Sequence, residues 1–291
     1  MIENYFIHIM IIIGIYGILA ISLNLVMGYC GLLNLGHIAF FGIGAYSSAL
    51  LTLKGGTFPV SFLLSGLIAS SFGYLLAYAT KRLRGDYFAL ITLGFNFVVY
   101  SLMLNLTSLT GGPMGLIGIP KPTIAGISLG GNLLYFFILV LVVFISTYFI
   151  ARKLTVSFFG KLMAATGDNE LLLKTLGKTP IKIKAKVLAF SAFFAGISGS
   201  LYVHYIGFVD PTIFGLTDMI LIITIVILGG LASLEGTIIS TILLISLPEL
   251  LRFVTMPDSV LGPLRWIIYA LVLLLILGYR SRGIFGNVDL T

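Results

Sequence analysis

Apolar residues run through this chain in blocks of about twenty, separated by short polar stretches, rather than recurring at the spacing of a half-buried surface helix. A bilayer core about 30 Å thick needs roughly 20 consecutive apolar residues for each crossing helix. Blocks of that kind lie at 5–27, 33–53, 59–80, 87–106, 133–151, 187–206, 217–234, 236–251 and 262–279. They predict an all-α, polytopic integral membrane protein with about nine transmembrane helices, forming a single transmembrane domain over 1–291. Only ASLEG separates the seventh and eighth blocks, so a re-entrant hairpin fits there as well. The stretch 107–132 contains TGGPMGLIGIPKP, whose glycines and prolines predict ordered turns.

The basic residues set the orientation. Lys81, Arg82 and Arg84, then Arg152 through Lys186, then Arg280 and Arg282 hold 13 of the 17. Lysine and arginine concentrate in cytoplasmic loops, so these three places share the inner side. Lys54, Lys121, Arg252 and Arg265 fall at outer ends or loops. The expected topology has the N-terminus outside and the C-terminus cytoplasmic, with 152–186 as a long cytoplasmic loop.

Composition sharpens the class. With 59% hydrophobic and 9% charged residues and a mean hydropathy of +1.14, the chain is far from the roughly 25% charged residues of a soluble domain. The net charge of +7 reflects loop location rather than a nucleic-acid footprint, so no nucleic-acid partner is expected. A single cysteine, Cys30, cannot form an intramolecular disulfide. Glu3 and the lack of a basic residue before the long first block predict a retained helix rather than a cleaved signal.

Candidate chemistry is sparse. No Asp, Glu, Lys or Arg falls near the middle of any predicted span, although embedded ionisable groups usually mark proton or ion coupling. No GxxxxGK[ST] run is present, so any ATP hydrolysis belongs to partner subunits. His8, His37 and His204 are isolated in sequence and form no metal-ligand pattern; neither a catalytic residue, a metal nor a cofactor is expected. An integral membrane enzyme would need clustered His, Asp or Glu near one face.

Two segments stand out. In GYCGLLNLGHIAFFGIGAY, 28–46, Gly28, Gly31 and Gly36 interrupt an apolar run and bring Asn34 beside His37. Such breaks free backbone groups and often line transport pathways, although glycine also permits close helix packing. These residues, with Asn96 in the fourth span, are the candidate pathway lining; Asn24 and Asn96 more readily bond a neighbouring helix than contact substrate. In the sixth span, Ser191, Ala195 and Gly199, with Ala192, Gly196 and Ser200, form a smooth packing face.

The second segment is cytoplasmic. From 168 to 176 the residues predict a short helix capped by Asp168 or Asn169, with Glu170 in its first turn, Leu172, Leu173 and Leu176 as an apolar stripe, and Gly177 as its stop. Docking into a cytosolic partner would cover that stripe; lying on the bilayer surface is the other way to do so.

GYCGLLNLGHIAFFGIGAY at 28–46, LRGDYFALITLGF at 83–95 with SLTGGPMGLIGIP at 108–120, and ATGDNELLLKTLG at 165–177 with ILGGLASLEGTIIS at 227–240 together resemble the permease subunits of branched-chain amino acid ABC importers, particularly the LivM type. The resemblance implies a heteromeric importer: this permease, a second homologous permease, two ABC ATPase subunits and an extracytoplasmic solute-binding protein, in a bacterial or archaeal cytoplasmic membrane. It implies that 165–177 is the coupling segment docking on an ATPase, with Asp168, Asn169, Glu170 and Gly177 keeping the pattern. Gly167 departs from it, standing where the family commonly has an arginine. Related permeases for urea or short amides share the GYCGLL type of motif, and a self-sufficient channel or facilitator would also lack buried charge.

Overall fold

The computed structural model describes residues 2–83, 85–124 and 127–251, with the isolated positions 267, 271 and 285. The described part is almost entirely helical: α1 Ile2–Met27, α2 His37–Leu53, α3 Phe58–Ala79, α4 Gly85–Asn105, α5 Thr107–Thr110, α6 Leu133–Val156, α7 Phe158–Asp168, α8 Glu170–Thr175, α9 Pro180–Ile206, α10 Leu216–Gly229 and α11 Leu234–Leu251. By length and composition α1, α3, α4, α6 and α9 can cross a membrane, and 37–53, 216–229 and 234–248 are shorter apolar helices. These eight correspond to the first eight predicted spans. The ninth, 262–279, lies outside the described residues apart from positions 267 and 271.

The boundaries differ where local chemistry overrides hydropathy. The second span was expected from Leu33, but α2 starts at His37, because 31–36 form an irregular segment in which Asn34 Oδ1 accepts from the Gly36 N–H at 3.0 Å. The seventh, expected to reach Leu234, stops at Gly229, with Gly230 at φ 101 turning the chain. In the other direction, α9 begins at Pro180, seven residues before the predicted span, with the proline pre-set for a helical first turn.

α9 is the axis of the bundle, and its small residues are the reason. A Cβ on Gly44 of α2 would lie 2.2 Å from the Gly196 Cα, and one on Gly199 would lie 2.1 Å from the Phe41 carbonyl oxygen. The two helices therefore pack backbone to backbone, as the small-residue face predicts. α3 runs antiparallel to α9, with Gly66 against Phe193 and Gly73 against Leu188 and Ala192. α1 lies on another flank, tied by Ser191 Oγ to the Ser22 carbonyl at 2.5 Å, Ser198 Oγ to the Ile15 carbonyl at 2.7 Å, and His8 Nδ1 to Tyr205 Oη at 2.5 Å. These contacts recur every seven residues on both helices, the spacing of an antiparallel seam.

Away from this centre α3, α4 and α6 present Leu67, Leu75, Leu90, Val98, Val142 and Phe149 outward, an apolar exterior suited to lipid or to another apolar subunit. The predicted turns of 107–132 are present: α5, a 3-10 turn at Gly112–Met114, β1 Leu116–Ile117 and a hairpin of β2 Thr123–Ile124 with β3 Ile127–Ser128. β1 pairs antiparallel with β4 Phe208–Val209, which follows α9.

Candidate translocation site

The lysines and arginines after α3, after α6 and before α9 mark one end of the bundle, the basic end. The glycine-rich turn 28–36 reaches it between two other segments. On one side is the turn joining α10 to α11. Asn24, completely buried, donates through Nδ2 to the Ser233 carbonyl at 2.9 Å and Thr237 Oγ1 at 2.6 Å, and its Oδ1 accepts from the Ala232 N–H at 3.1 Å. Gly28 has to be glycine here, because a Cβ would lie 2.2 Å from the Ala232 nitrogen. Of the two roles open to Asn24, bonding a neighbouring helix is what the geometry gives.

On the other side is the segment containing α7 and α8. Gly31, at φ +63, places a hypothetical Cβ 3.0 Å from the Gly167 Cα, and the reciprocal Cβ on Gly167 would lie 3.1 Å from the Cys30 carbonyl oxygen. The departure at Gly167 thus coincides with a backbone-to-backbone contact onto the glycine turn. A cleft of about 430 Å³ opens among the three segments, lined by Gly28, Gly31, Leu33, Gly167, Asp168 and Ala232, among others. A neighbouring polar cleft of about 260 Å³ includes Cys30, Asn169, Glu170 and Lys184.

The short helix expected over 168–176 is α8, Glu170–Thr175, with Asn169 as its cap: the φ of −156 at Asn169 lies outside the helical region and its Oδ1 accepts from the Leu171 N–H at 2.9 Å. A second helix, α7, directly precedes it and had no counterpart in the sequence pattern. Asp168 ends α7 and faces solvent beside the clefts. Gly177, at φ 70, stops α8 in the left-handed conformation.

Glu170 does not point away from the protein. It forms an ion pair with Lys184 of α9, both side chains largely buried. Leu173, three residues on and so on the same helical face, is buried with it, while Leu176 and Leu171 are exposed; the side chain of Leu172 lies outside what is described. The outward apolar surface is therefore Leu171, Leu176 and Phe158, the last with Lys178 Nζ 5.9 Å from its ring centroid. Leu171 and the inward turn of Glu170 escaped the sequence reading because an ion pair to a lysine fourteen residues away leaves no periodic signal.

Cys30 sits under this latch. Burial pushes its thiol up to about 12; Lys184 opposes the shift and Glu170 adds to it.

Beyond the cleft lies the start of α2. The Leu35 N–H donates to Thr92 Oγ1 at 3.0 Å, and a Cβ on Gly36 would sit 2.4 Å from the Thr92 carbonyl oxygen, so α4 touches the irregular segment here. Phe40 and Phe95 continue the contact at 5.4 Å between ring centroids. Asn96, one turn after Thr92, belongs to the same buried stripe of α4. His37 Nε2 lies 2.8 Å from Ser22 Oγ, and Ser22 Oγ already donates its proton to the Leu19 carbonyl. Nε2 must therefore carry the proton, leaving Nδ1 as a bare acceptor. All six candidate pathway residues, Gly28, Gly31, Asn34, Gly36, His37 and Asn96, fall along this one tract.

His204 has the packing role its isolation predicts. Its Nδ1 donates to the Pro120 carbonyl at 2.9 Å, so its Nε2 accepts from Ser48 Oγ at 3.1 Å, and Ser200 Oγ donates to Ser48 at 2.7 Å. One acidic group lies deeper than hydropathy shows. Asp218 Oδ1 accepts from Tyr16 Oη at 3.2 Å, and Tyr16 is halfway along α1, because the short helix α10 begins within the bundle.

Residues 5–277 match the family described as "Branched-chain amino acid transport system / permease component". The chain belongs to that permease family. It is 36% identical over 261 residues to the high-affinity branched-chain amino acid transport system permease protein LivM of Escherichia coli K12, and equally to that of Salmonella typhimurium LT2, covering 82% of this chain and 61% of each relative. A probable branched-chain amino acid transport permease protein LivM of Methanocaldococcus jannaschii is 22% identical over 316 residues, covering 93% of this chain and 90% of that protein. No solved structure matches.

Proposed function

We propose that this chain is the membrane-spanning permease subunit of an ATP-driven importer for branched-chain amino acids, coupled through 158–177 to two cytosolic ATPases. A second homologous permease completes the pathway, and an extracytoplasmic binding protein delivers the solute. The chain then lies in a bacterial or archaeal cytoplasmic membrane as one nine-helix domain, N-terminus outside and C-terminus inside, with the basic end cytoplasmic. Membership of the family supports this reading, as do the relatives' printed names.

The observation that carries the coupling role is the two-faced segment 158–177. Its inner face is fixed by the Glu170–Lys184 pair and by Gly167 against Gly31, while Leu171 and Leu176 stand outward, with Lys174 and Lys178 also exposed. A partner that seats on those leucines pushes directly on the glycine turn. Glu170 acts as an internal latch rather than as a contact to the ATPase.

Coexpression with the neighbouring transporter genes, purification in mild detergent and an ATPase assay test this. Leu171→Asp with Leu176→Asp is expected to remove the copurifying ATPase while the permease keeps its elution volume. An ATPase that stays bound sinks this docking surface. If no ATPase copurifies with wild type and the isolated chain passes solute down its gradient in liposomes, the importer reading gives way to a facilitator.

A further inference from the structure

Six buried side-chain polar atoms lack a hydrogen-bond partner among the described residues, and four of them belong to Asn34, His37 and Asn96. The other two are single hydroxyls, Tyr46 Oη and Ser61 Oγ. An unpaired buried polar atom costs about 1–3 kcal/mol, so native proteins leave few of them and rarely gather them. These three residues are each at least 98% buried, at 0%, 2% and 1% exposure. They also share one seam: Asn34 and His37 flank Gly36 at the start of α2, and Asn96 lies a turn beyond the Thr92 that touches Gly36.

The unpaired atoms have a definite chemistry. Asn34 Oδ1 is committed to the Gly36 N–H, so its free atom is the Nδ2 donor. His37 Nδ1 is a bare acceptor, as derived above. Asn96 offers one donor and one acceptor. α2, seventeen residues long, has Gly36 as N-cap and no side chain bonded to its first-turn N–H groups, so its positive dipole end adds to the donors. The seam thus asks for an acceptor bearing negative charge and, close to it, a donor, on a ligand of zero net charge, since no formally charged side chain is among these groups. An α-amino acid head group, with carboxylate and ammonium on one carbon, has that pattern.

Leu33 lines the 430 Å³ cleft, and Asn34, the first residue of the seam, follows it in the chain.

Resting on the permease reading, we infer that the seam between α2 and α4 is the subsite that takes the zwitterionic head group of the transported amino acid, with Asn34, Asn96 and the α2 N-terminus facing the carboxylate and His37 Nδ1 with Asn96 facing the ammonium. In the closed arrangement described here these atoms are sealed from solvent. The seam opens for the ligand when α4 parts from α2, and the ligand satisfies the atoms that closure leaves unpaired.

The test uses the permease with its ATPases reconstituted in liposomes together with the solute-binding protein. It reads ATP-driven uptake of radiolabelled leucine, direct leucine binding to the solubilised permease–ATPase complex by scintillation proximity, and uptake of radiolabelled urea. Asn34→Asp keeps the oxygen that caps Gly36 but puts a carboxylate where the Nδ2 donor was. Asn96→Leu removes two atoms that have no hydrogen-bond partner among the described residues, so the fold is expected to survive it. Each is expected to lower leucine uptake and binding at least tenfold, with ATPase copurification and elution volume unchanged. If both variants bind and carry leucine within twofold of wild type, the subsite is overturned and the importer reading stands. If wild type shows no ATP-driven uptake yet binds leucine in a manner lost in Asn34→Asp, the importer reading falls and the subsite stands. Uptake of urea exceeding that of leucine, lost in Asn96→Leu and retained in Asn34→Asp, would show a neutral-amide site and overturn the zwitterion assignment.

Discussion

Each end of α2 has a buried histidine beside it, and the two sit in opposite circumstances. At the end near Lys54, His204 closes a directed chain from Ser200 through Ser48 to the Pro120 carbonyl, every proton accounted for. At the middle of α2, Gly44 meets Gly196 of α9 with no side chain between them. At the basic end, among the described residues, His37 has one nitrogen bonded and one without a partner, and Asn34 and Asn96 add three more unpaired atoms. α2 is thus welded at one end and provisional at the other. A helix held in this way is fixed more firmly where its buried polar groups are all paired than where some are not.

That contrast can be attacked from the firmly held part first. Gly44→Leu is expected to leave no folded protein, because its Cβ alone would lie 2.2 Å from the Gly196 Cα and neither backbone can retreat without lifting α2 off α9. A single symmetric peak in size-exclusion chromatography would disprove the tight contact. Ser48→Ala removes the donor to His204 and the acceptor for Ser200, at a cost of about 1–3 kcal/mol, seen as a lower unfolding midpoint in detergent. Asn96→Leu is expected to keep that midpoint or raise it, since two unpaired polar atoms give way to apolar packing of similar volume. A fall as large as that of Ser48→Ala would mean that the two ends are alike.

The smallest effect is a labelling rate. Cys30, with its thiol pushed up to about 12 mainly by burial, should react with maleimide at pH 7.5 more slowly than a free thiol, and faster as pH rises. Glu170→Gln loosens the latch over it and is expected to raise that rate several-fold. No change would mean that the segment 158–177 stays seated without the Glu170–Lys184 pair.

Much of this was legible in the residues, and the losses have physical reasons. Helices fixed by long apolar blocks and by small residues at four-residue spacing, such as Gly196 with Ser200, emerged where hydropathy and sterics place them. So did Gly177 as a stop and the glycines of 107–132 as turns, because positive φ is local chemistry. What sequence did not carry was pairing across the chain. Nothing near Glu170 announces Lys184, nothing near Asn24 announces the Ala232–Ser233 turn, and Asp218 reads as the edge of a span until α10 proves short. The candidate pathway was found through glycine breaks, which are local, whereas the unpaired atoms of Asn34, His37 and Asn96 exist only once α2 and α4 are laid together.

The three hydrogen-bonded contacts between α1 and α9 fall at equal intervals, like pins in a ruler. Sliding either helix by one residue breaks all three at once, so the pair resists axial travel as a unit. α1 and α9 thus form one rigid pair, and Ser22 fastens α2 to it, binding α9 through its carbonyl and His37 through its hydroxyl.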